Sequence, residues 1–281
     1  MAGLNAELAG KTYESRGFEV TADGIRRYAE ATNEDNPAFN SERPVAPPAF
    51  AFVVATPGLR DVMLDPDLGA DMAMLVHAEQ DHRYFLPIRA GDRLRVETKL
   101  EEVDLAPTGH TFTVAASLAN QDGRLAAEAR SKMFIRKTGT GAKAPKQESG
   151  EAPEYLVEVA QQVDEDQTQR YAEASGDDNP IHLDRQAARQ SGFPGVIVHG
   201  MCTMAFASKV LLDNLAGGDP GRLRRLSVQF SRPVFPGQTI TTRAWSVAEA
   251  GKGSKLFGFE TVNSRGSAVI KEGLAEIFGP Q

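Results

Sequence analysis

Residues 28–39 read YAEATNEDNPAF and residues 171–182 read YAEASGDDNPIH, so one motif occurs twice in this chain. The offset is 171 − 28 = 143 residues, about half of the 281 residues of the chain. Self-similarity at such a distance indicates a tandem duplication of one folding unit. The sequence therefore predicts two similar halves, and we expect differences between the copies to bear on function.

The two copies differ at a carboxylate and an imidazole. The second copy carries Asp177 and His182 in one Gly/Asn/Pro loop, whereas Glu34 and Phe39 occupy the matching positions of the first copy. A phenyl ring cannot accept a proton, so the first copy lacks the imidazole chemistry. We expect one working site per chain, in the second half, supported by a degenerate first half.

The similarity between the halves extends beyond this loop. Each half has a short strand, a helix leading into the Asn-Pro turn, an apolar helix and then alternating segments such as residues 112–118. Alternation of apolar and polar residues is typical of half-buried antiparallel strands. The pattern predicts an α+β fold in which a sheet wraps around a central helix. The predicted domains are residues 1–138 and 154–281, joined by a small, polar linker at 139–153.

The central helices are predicted to differ in length. In the second half the helix should run from His199 to about Leu215, where Gly217-Gly218 would end it. In the first half Pro57-Gly58 should end the corresponding helix, Ala49 to Thr56, after about two turns.

The composition excludes several functional classes. A net charge of −7 without a basic stripe argues against a nucleic-acid partner. No apolar run approaches the ~18 residues that span a bilayer. The single cysteine, Cys202, excludes intrachain disulfides and fits a reducing compartment. No signal-peptide pattern or nucleotide-binding glycine motif occurs, so we expect a cytoplasmic protein without membrane contact or cofactor.

The second loop has the residues needed to activate water. Asp177 and His182 can hold one water between them, and a histidine with a pKa near ~6.5 accepts protons near neutrality. Asn179 can fix the turn through the backbone. In the alternative interpretation Asp177 is a turn residue and His182 a loop histidine. The same turn survives at Asn36-Pro37 without the histidine, so turn formation does not require it.

Gly200 is predicted at the start of the central helix, where free backbone N–H groups favour a developing oxyanion. The matching segment of the first half is Pro47-Pro48-Ala49, and proline has no N–H to donate. Close packing of the helix on the sheet is an additional role for Gly200. We expect His199 to be a structural residue at the helix start rather than a second base.

A metal site is not expected. His77 and His82 lie on one predicted strand near Asp81, but strand alternation would point the two imidazoles to opposite faces. Cys202 lies on an apolar helix and is interpreted as a small core residue.

Residues 171–182 resemble the hydratase 2 motif of the MaoC-like dehydratase family, and residues 196–201 (VIVHGM) match the start of that family's central helix. The first half, with PPAF at 47–50 and HAEQ at 77–80, is similar to the N-terminal domain of two-domain members. The resemblance implies a double hotdog fold. It also implies (R)-specific hydration of trans-2-enoyl thioesters, or the reverse dehydration of (3R)-hydroxyacyl thioesters.

The resemblance also implies roles for individual residues. Asp177 and His182 would activate the water, and the N–H of Gly200 would hold the thioester oxygen. The expected substrate contacts are Asn179, His199, Met201 and Phe50. The substrate would be carried on coenzyme A or acyl carrier protein, and two chains could form a homodimer. Three arginines could meet the carrier's phosphates or simply mark a solvated strand end. They are Arg222, Arg224 and Arg225.

Two alternatives to a hydratase remain open: a hotdog thioesterase that hydrolyses the same substrates, and a non-catalytic subunit that binds acyl thioesters. The acyl chain length is also open. A short first helix would leave a groove for chains longer than four carbons, lined by Phe50, Phe52, Met63 or Leu64. If residues 59–73 fold back into that space, the enzyme would prefer short or branched chains.

Overall fold

The computed structural model describes residues 3–107, 109–136, 153–251 and 253–279. In the first half these residues form β1 (Arg16–Glu19), α1 (Ala22–Ala31), α2 (Pro37–Asn40), α3 (Phe50–Met63), β2 (Leu75–Tyr84), β3 (Arg93–Ala106), β4 (Gly109–Ala119) and β5 (Leu125–Arg136). In the second half they form β6 (Val157–Gln162), α4 (Gln167–Ser175), α5 (Arg185–Gln190), α6 (Gly200–Leu215), β7 (Leu223–Phe230), β8 (Thr239–Gly251), β9 (Ser254–Asn263) and β10 (Ala268–Phe278).

The strands form one antiparallel sheet in the order β1-β3-β4-β5-β2-β7-β10-β9-β8-β6. Read outward from the centre, both halves have the same order. The halves join where β2 pairs with β7, with Asp81 opposite Ser227 at the middle of the register. Each half wraps its strands around one long helix, so the predicted double hotdog fold is confirmed. The linker predicted at 139–153 lies outside the described residues except for Pro153, and the domain boundaries stay predictions.

The interior of the sheet follows the predicted alternation. Phe112, Val114, Ala116 and Leu118 of β4 are all buried, with partly exposed residues between them. Apolar side chains on alternate positions give one face to the core and one to the surface. None of the described helices is long and apolar enough to cross a membrane.

Helix α6 has the bounds predicted from the sequence. It begins at Gly200 after His199 and ends at Leu215. Gly217 and Gly218 follow with positive φ angles of 61° and 75°, and the Gly218 N–H donates to the Leu212 carbonyl. Nearly every α6 side chain in the first three turns is buried, so this helix is the core of the second half.

The prediction that Pro57-Gly58 ends the first central helix is wrong, because α3 continues through both residues to Met63. Gly58 packs on β3 so closely that a Cβ there would lie 2.0 Å from the Thr98 Oγ1. Leu59 and Val62, beyond the proline, are buried. Burying two such side chains stabilises the helix by about 3–6 kcal/mol. That offsets the ~3 kcal/mol that an interior proline costs.

The prediction that His77 and His82 point to opposite faces is also wrong. The register between β2 and β5 shifts between His77 and Glu79. His77 therefore pairs with the buried Met133, and His82 pairs with the buried Ala129. One extra residue in a strand reverses the facing of everything beyond it. Both imidazoles consequently point into the interior of the first half.

The duplicated loops of the two halves contact each other directly. Arg170 of α4 donates to the Glu30 carbonyl (2.9 Å) and to the Asn33 Oδ1 (3.0 Å). Gln167 is buried and its Nε2 donates to the Ala31 carbonyl at 2.6 Å. These hydrogen bonds to main-chain carbonyls hold α4 against the end of α1, where each helix leads into its loop. The degenerate half is thereby attached next to the motif that carries Asp177.

Candidate active site

The backbone around His182 fixes the position of its ring. His182 ends a short 3-10 turn, Pro180–His182, which Asn179 caps by accepting from the Ile181 N–H at 3.3 Å. The His182 Nδ1 lies 2.8 Å from the Ile197 carbonyl oxygen. Because a carbonyl only accepts, Nδ1 carries the proton of the neutral ring and Nε2 keeps the lone pair.

The charge state of His182 agrees with this role. Burial lowers the pKa of His182 below its ordinary value, and the nearby Asp177 carboxylate opposes that shift. The imidazole is therefore neutral near pH 7. It is ready to accept a proton through Nε2.

Asp177 follows helix α4 at the point where the chain turns. Gly176 ends the helix in the left-handed conformation, with φ of 74°. The Asp177 N–H donates to the Ser175 Oγ at 3.2 Å, and Oδ1 accepts from the Asn179 N–H at 3.3 Å. Asp177 remains partly exposed, whereas His182 is buried. The carboxylate can therefore meet both solvent and the imidazole.

His199 connects the two catalytic candidates. Its ring stacks on His182 with centroids 3.8 Å apart, and its Nε2 donates to the Asp177 carbonyl at 3.0 Å. Burial and the adjacent His182 lower the pKa of His199 to about 3, so the ring is neutral. His199 also directly precedes the first residue of α6, and its role as a structural residue stays a prediction.

Asp177, His182 and His199 each offer a ligand atom within 4.8 Å of the others. Three such groups can bind one water molecule or coordinate one metal ion. One nitrogen of each imidazole is already engaged with a carbonyl oxygen, which leaves His182 Nε2 and His199 Nδ1. The prediction that the site works without a metal stays a prediction.

Gly200 is the first residue of α6, and no side chain caps this helix. The first amides of a helix have no acceptor within it, so they can face a ligand. A Cβ at Gly200 would lie 3.2 Å from the Phe230 ring. Close packing against Phe230 therefore favours glycine here, in addition to the predicted role of its N–H. The role of the Gly200 N–H as an oxyanion donor stays a prediction.

His77 is a residue of this site that the sequence interpretation missed. Its ring lies 5.1 Å from Phe230, the ring that covers Gly200, and 5.5 Å from Phe52 of α3. Burial lowers the pKa of His77 to about 4, and the charge of Asp177 opposes that shift. The bulge in β2 turns His77 inward. A bulge cannot be predicted from the alternation of apolar and polar residues, so the sequence interpretation missed this residue. The first half thus contributes a neutral imidazole beside the site of the second half.

The other predicted contacts lie in the core. Met201 is buried in the first turn of α6, and Cys202 is a fully buried free thiol whose pKa burial raises. Phe50 is buried against Tyr28, with ring centroids 5.4 Å apart. Asn179 is at the loop, where it caps the turn. Substrate contact by Asn179, His199, Met201 and Phe50 stays a prediction.

The matching loop of the first half forms the same main-chain turn but has no imidazole. Phe39 N–H donates to the Asn36 carbonyl at 3.0 Å, the same bond that His182 makes to Asn179. Phe39 is fully buried. Glu34 lies 3.5 Å from Lys209 of α6, and burial raises the pKa of Glu34 to about 7.

The segments that lead into α3 and α6 can be aligned by a main-chain hydrogen bond that occurs in both halves. The Ala46 N–H donates to Ile88, and the Val198 N–H donates to Val234, each at 2.8 Å. Pro48 therefore matches Gly200, two residues beyond each donor. Pro48 has no N–H. The first half therefore lacks the amide that Gly200 supplies, as well as the imidazole.

The three arginines are engaged within the protein. Arg222 donates to the carbonyls of Ala216 and Phe278. Arg224 lies over the Phe278 ring, and Arg225 forms a two-point ion pair with Asp81 at 2.8 and 2.9 Å. These contacts engage all three guanidinium groups within the protein, and their contact with a carrier's phosphates stays a prediction.

Comparison with known proteins places this geometry in a family. Residues 146–264 match the MaoC like domain, and residues 7–129 match the FAS1-like dehydratase domain region. The 3-hydroxyacyl-thioester dehydratase Y of Mycobacterium tuberculosis is 31% identical over 216 residues, which are 73% of each chain. A probable enoyl-CoA hydratase 2 of Dictyostelium discoideum is 29% identical over 230 residues, covering 80% of this chain and 75% of that protein.

The fold comparison agrees. The crystal structure of a MaoC-like dehydratase from Phytophthora capsici superposes with a TM-score of 0.78 at 27% identity, and the match covers 98% of both chains. The relatives and the solved structure thus match the chain over most of its length, across both halves. The chain therefore belongs to the MaoC-like dehydratase family.

Proposed function

We propose that this chain adds water across the double bond of trans-2-enoyl thioesters to give (3R)-hydroxyacyl thioesters, and catalyses the reverse dehydration. The observation that carries the proposal is the orientation of His182. Its Nδ1 is committed to the Ile197 carbonyl, so Nε2 is the basic atom, and the Asp177 carboxylate lies beside it. Family membership supports a hydratase or dehydratase as the enzyme class.

The reaction needs three things from the protein. His182 Nε2 takes a proton from a water that Asp177 helps to orient, and the water oxygen bonds to C3. The electron pair of the double bond moves toward the thioester oxygen, which the Gly200 N–H stabilises at the positive end of α6. The proton taken from the water returns to C2 through the Asp177–His182 pair. One water is consumed, nothing is released and no cofactor is required.

The thioester carrier is coenzyme A or acyl carrier protein. The relative named enoyl-CoA hydratase 2 supports coenzyme A, whereas the name of dehydratase Y specifies only a thioester. We also propose that the protein works in the cytoplasm, which the single cysteine supports, and that it forms a homodimer. Light scattering on the purified chain measures the last of these.

Hydrolysis of the thioester is the competing activity. Relatives named as a thioester dehydratase and an enoyl-CoA hydratase favour hydration over hydrolysis. A non-catalytic binding subunit would not need both Asp177 and His182. Each is retained here in the half that also keeps the glycine helix start.

The deciding experiment is a panel of trans-2-enoyl-CoA esters incubated with the purified chain. Loss of enoyl absorbance without release of free thiol supports hydration, and chiral analysis of the product tests the (R) configuration. Release of free thiol at the same rate would identify a thioesterase instead. If the chain binds the substrate but neither the enoyl absorbance falls nor free thiol appears, the chain is a binding subunit.

A further inference from the structure

An uninterrupted row of ring contacts runs from the degenerate half to the catalytic histidine. Phe50 and Tyr28 lie 5.4 Å apart between centroids, and Tyr28 lies 5.8 Å from Tyr171. Tyr171 lies 4.7 Å from His199, which stacks on His182 at 3.8 Å. We call these five residues the ring column. Its middle contact, Tyr28 with Tyr171, crosses from one half to the other.

The ring column is closely packed along its length. Tyr28 and Tyr171 have no exposed surface, and His199 is 1% exposed. Contacts between rings at these separations stabilise the core beyond simple burial. Protein interiors are packed as tightly as organic crystals, so a change of volume at one ring shifts its neighbours. The plane of His182 thus depends on the fully buried rings of Tyr28 and Tyr171.

Two hydrogen bonds connect the ring column to the main chain of the catalytic loop and of the segment before α6. His199 donates to the Asp177 carbonyl, and His182 donates to the Ile197 carbonyl. A shift of the His199 ring therefore changes the positions of both Asp177 and His182. Tyr28 contacts Tyr171 from the first half, across the junction between the halves.

We propose that Tyr28, in the half without catalytic residues, is a positioning residue that sets the orientation of His182 through Tyr171 and His199. The proposal rests on the proposed function for its kinetic readout only. It explains why the degenerate copy retains a tyrosine at the position that matches Tyr171, although Phe39 and Pro48 have removed its own chemistry. The ring of Tyr28 contacts both Phe50 and Tyr171.

The experiment compares Tyr28→Met, Tyr28→Phe and a control, Phe112→Met. Methionine keeps much of the buried volume and removes the ring, whereas phenylalanine keeps the ring. Phe112 is equally buried in the same half but lies outside the ring column. A displacement near 1 Å of a reacting group costs up to ~10²-fold in rate, so we expect Tyr28→Met to lower kcat roughly tenfold. Its KM should stay within about twofold, because Tyr28 is fully buried and does not contact the substrate.

The control variants separate positioning from general stability. Tyr28→Phe should restore kcat to near the wild-type value. Phe112→Met should lower the melting temperature about as much as Tyr28→Met and leave kcat intact. Equal losses of kcat in Tyr28→Met and Phe112→Met would overturn the proposal, as would an unchanged kcat in Tyr28→Met.

A spectroscopic readout needs no substrate. Ring ¹⁵N NMR reports which nitrogen of each of the five histidines is protonated, and His182→Gln identifies the signals of His182. The wild type should show His182 protonated on Nδ1, and Tyr28→Met should show a mixture of tautomers. If the wild type hydrates no enoyl thioester, the proposed function fails, but an unchanged tautomer in Tyr28→Met would still refute positioning. If Tyr28→Met does not fold, Phe50→Leu, one ring further along, should shift the tautomer in the same direction.

Discussion

His182 and His199 stack with ring centroids 3.8 Å apart and planes 28° apart, yet their hydrogen bonds give them different tasks. His182 donates through Nδ1 to the Ile197 carbonyl and keeps Nε2 as a base. His199 donates through Nε2 to the Asp177 carbonyl and holds the loop. Both rings are neutral, because burial lowers both pKa values. In the proposed mechanism one imidazole is therefore the base, and the other keeps it in place.

Asp177→Asn and His182→Gln should each lower the hydration rate by roughly 10²–10⁴-fold, the usual effect of losing a positioned acid or base. Both substitutions are close in shape to the native side chains, so the melting temperature should change little. Steady-state rates with a trans-2-enoyl-CoA, together with thermal melts, measure the two effects. Near-full activity in either folded variant would contradict the proposed mechanism.

Glu34→Gln in the degenerate half should leave kcat within about twofold of the wild-type value. Phe39 removes the imidazole partner of Glu34, and the carboxylate faces Lys209 instead of a histidine. Asp177→Asn serves as the matched control, because the two positions correspond in the duplication. A comparable loss of rate in both variants would mean that both halves perform chemistry.

Much of the fold could be predicted because it depends on local pattern. The alternation from Phe112 to Leu118 and the duplicated DNP loop were enough to predict two halves with central helices. The end of α3 was not predictable, because the helix survives Pro57 through the close approach of Gly58 to Thr98 on another element. A contact of that kind has no signature in the local sequence.

The candidate site divides in the same way. Asp177 and His182 could be identified because they share one loop, and its duplicate lacks the imidazole. The tautomer of His182 depends on the Ile197 carbonyl, and the approach of His77 depends on a bulge in β2. Tyr28 lies more than a hundred residues away in sequence. Only the closed fold brings these groups together.

The rate of hydration should depend on a single deprotonation with a midpoint below pH 6.5. Hydration requires neutral His182, and burial lowers the pKa of His182, with Asp177 opposing the shift. The profile of kcat/KM should therefore be flat near neutrality and fall at acidic pH. Asp177→Asn removes the opposing charge, so the midpoint of its residual activity should move to still lower pH. An acidic limb centred above pH 6.5 would be inconsistent with a buried His182 base.

The free energy of unfolding should fall as the pH drops below about 6.5, the ordinary histidine value. Burial lowers the pKa of His77 to about 4 and those of His82 and His199 to about 3, and it also lowers that of His182. The unfolded chain binds these protons first, so their contribution is complete above pH 6.5 and is lost on acidification. Glu34 opposes this trend, since its pKa is raised to about 7 and folding favours its protonated form.

Urea unfolding at pH 7.5, 6.0 and 5.0 measures that balance. Four histidines outweigh one glutamate, so the midpoint should decrease steadily over this range. Glu34→Gln should steepen the decrease, because it removes the single opposing group. A midpoint that rises between pH 7.5 and pH 5.0 would show that the buried histidines do not remain neutral in the folded protein.

The enzyme should prefer short acyl chains. The groove expected for longer chains depended on a first helix that ends at Thr56, but α3 continues to Met63. The segment that follows also folds back, since Leu68 is fully buried and its carbonyl accepts from the Asn5 N–H at 3.0 Å. A buried methylene would contribute up to ~0.8 kcal/mol to binding, and that gain is lost where the space is filled. We therefore expect kcat/KM to fall steeply from C4 to C8 and C12 enoyl-CoA. A rise from C4 to C8 would show that the acyl chain enters elsewhere, without altering the roles proposed for Asp177 and His182.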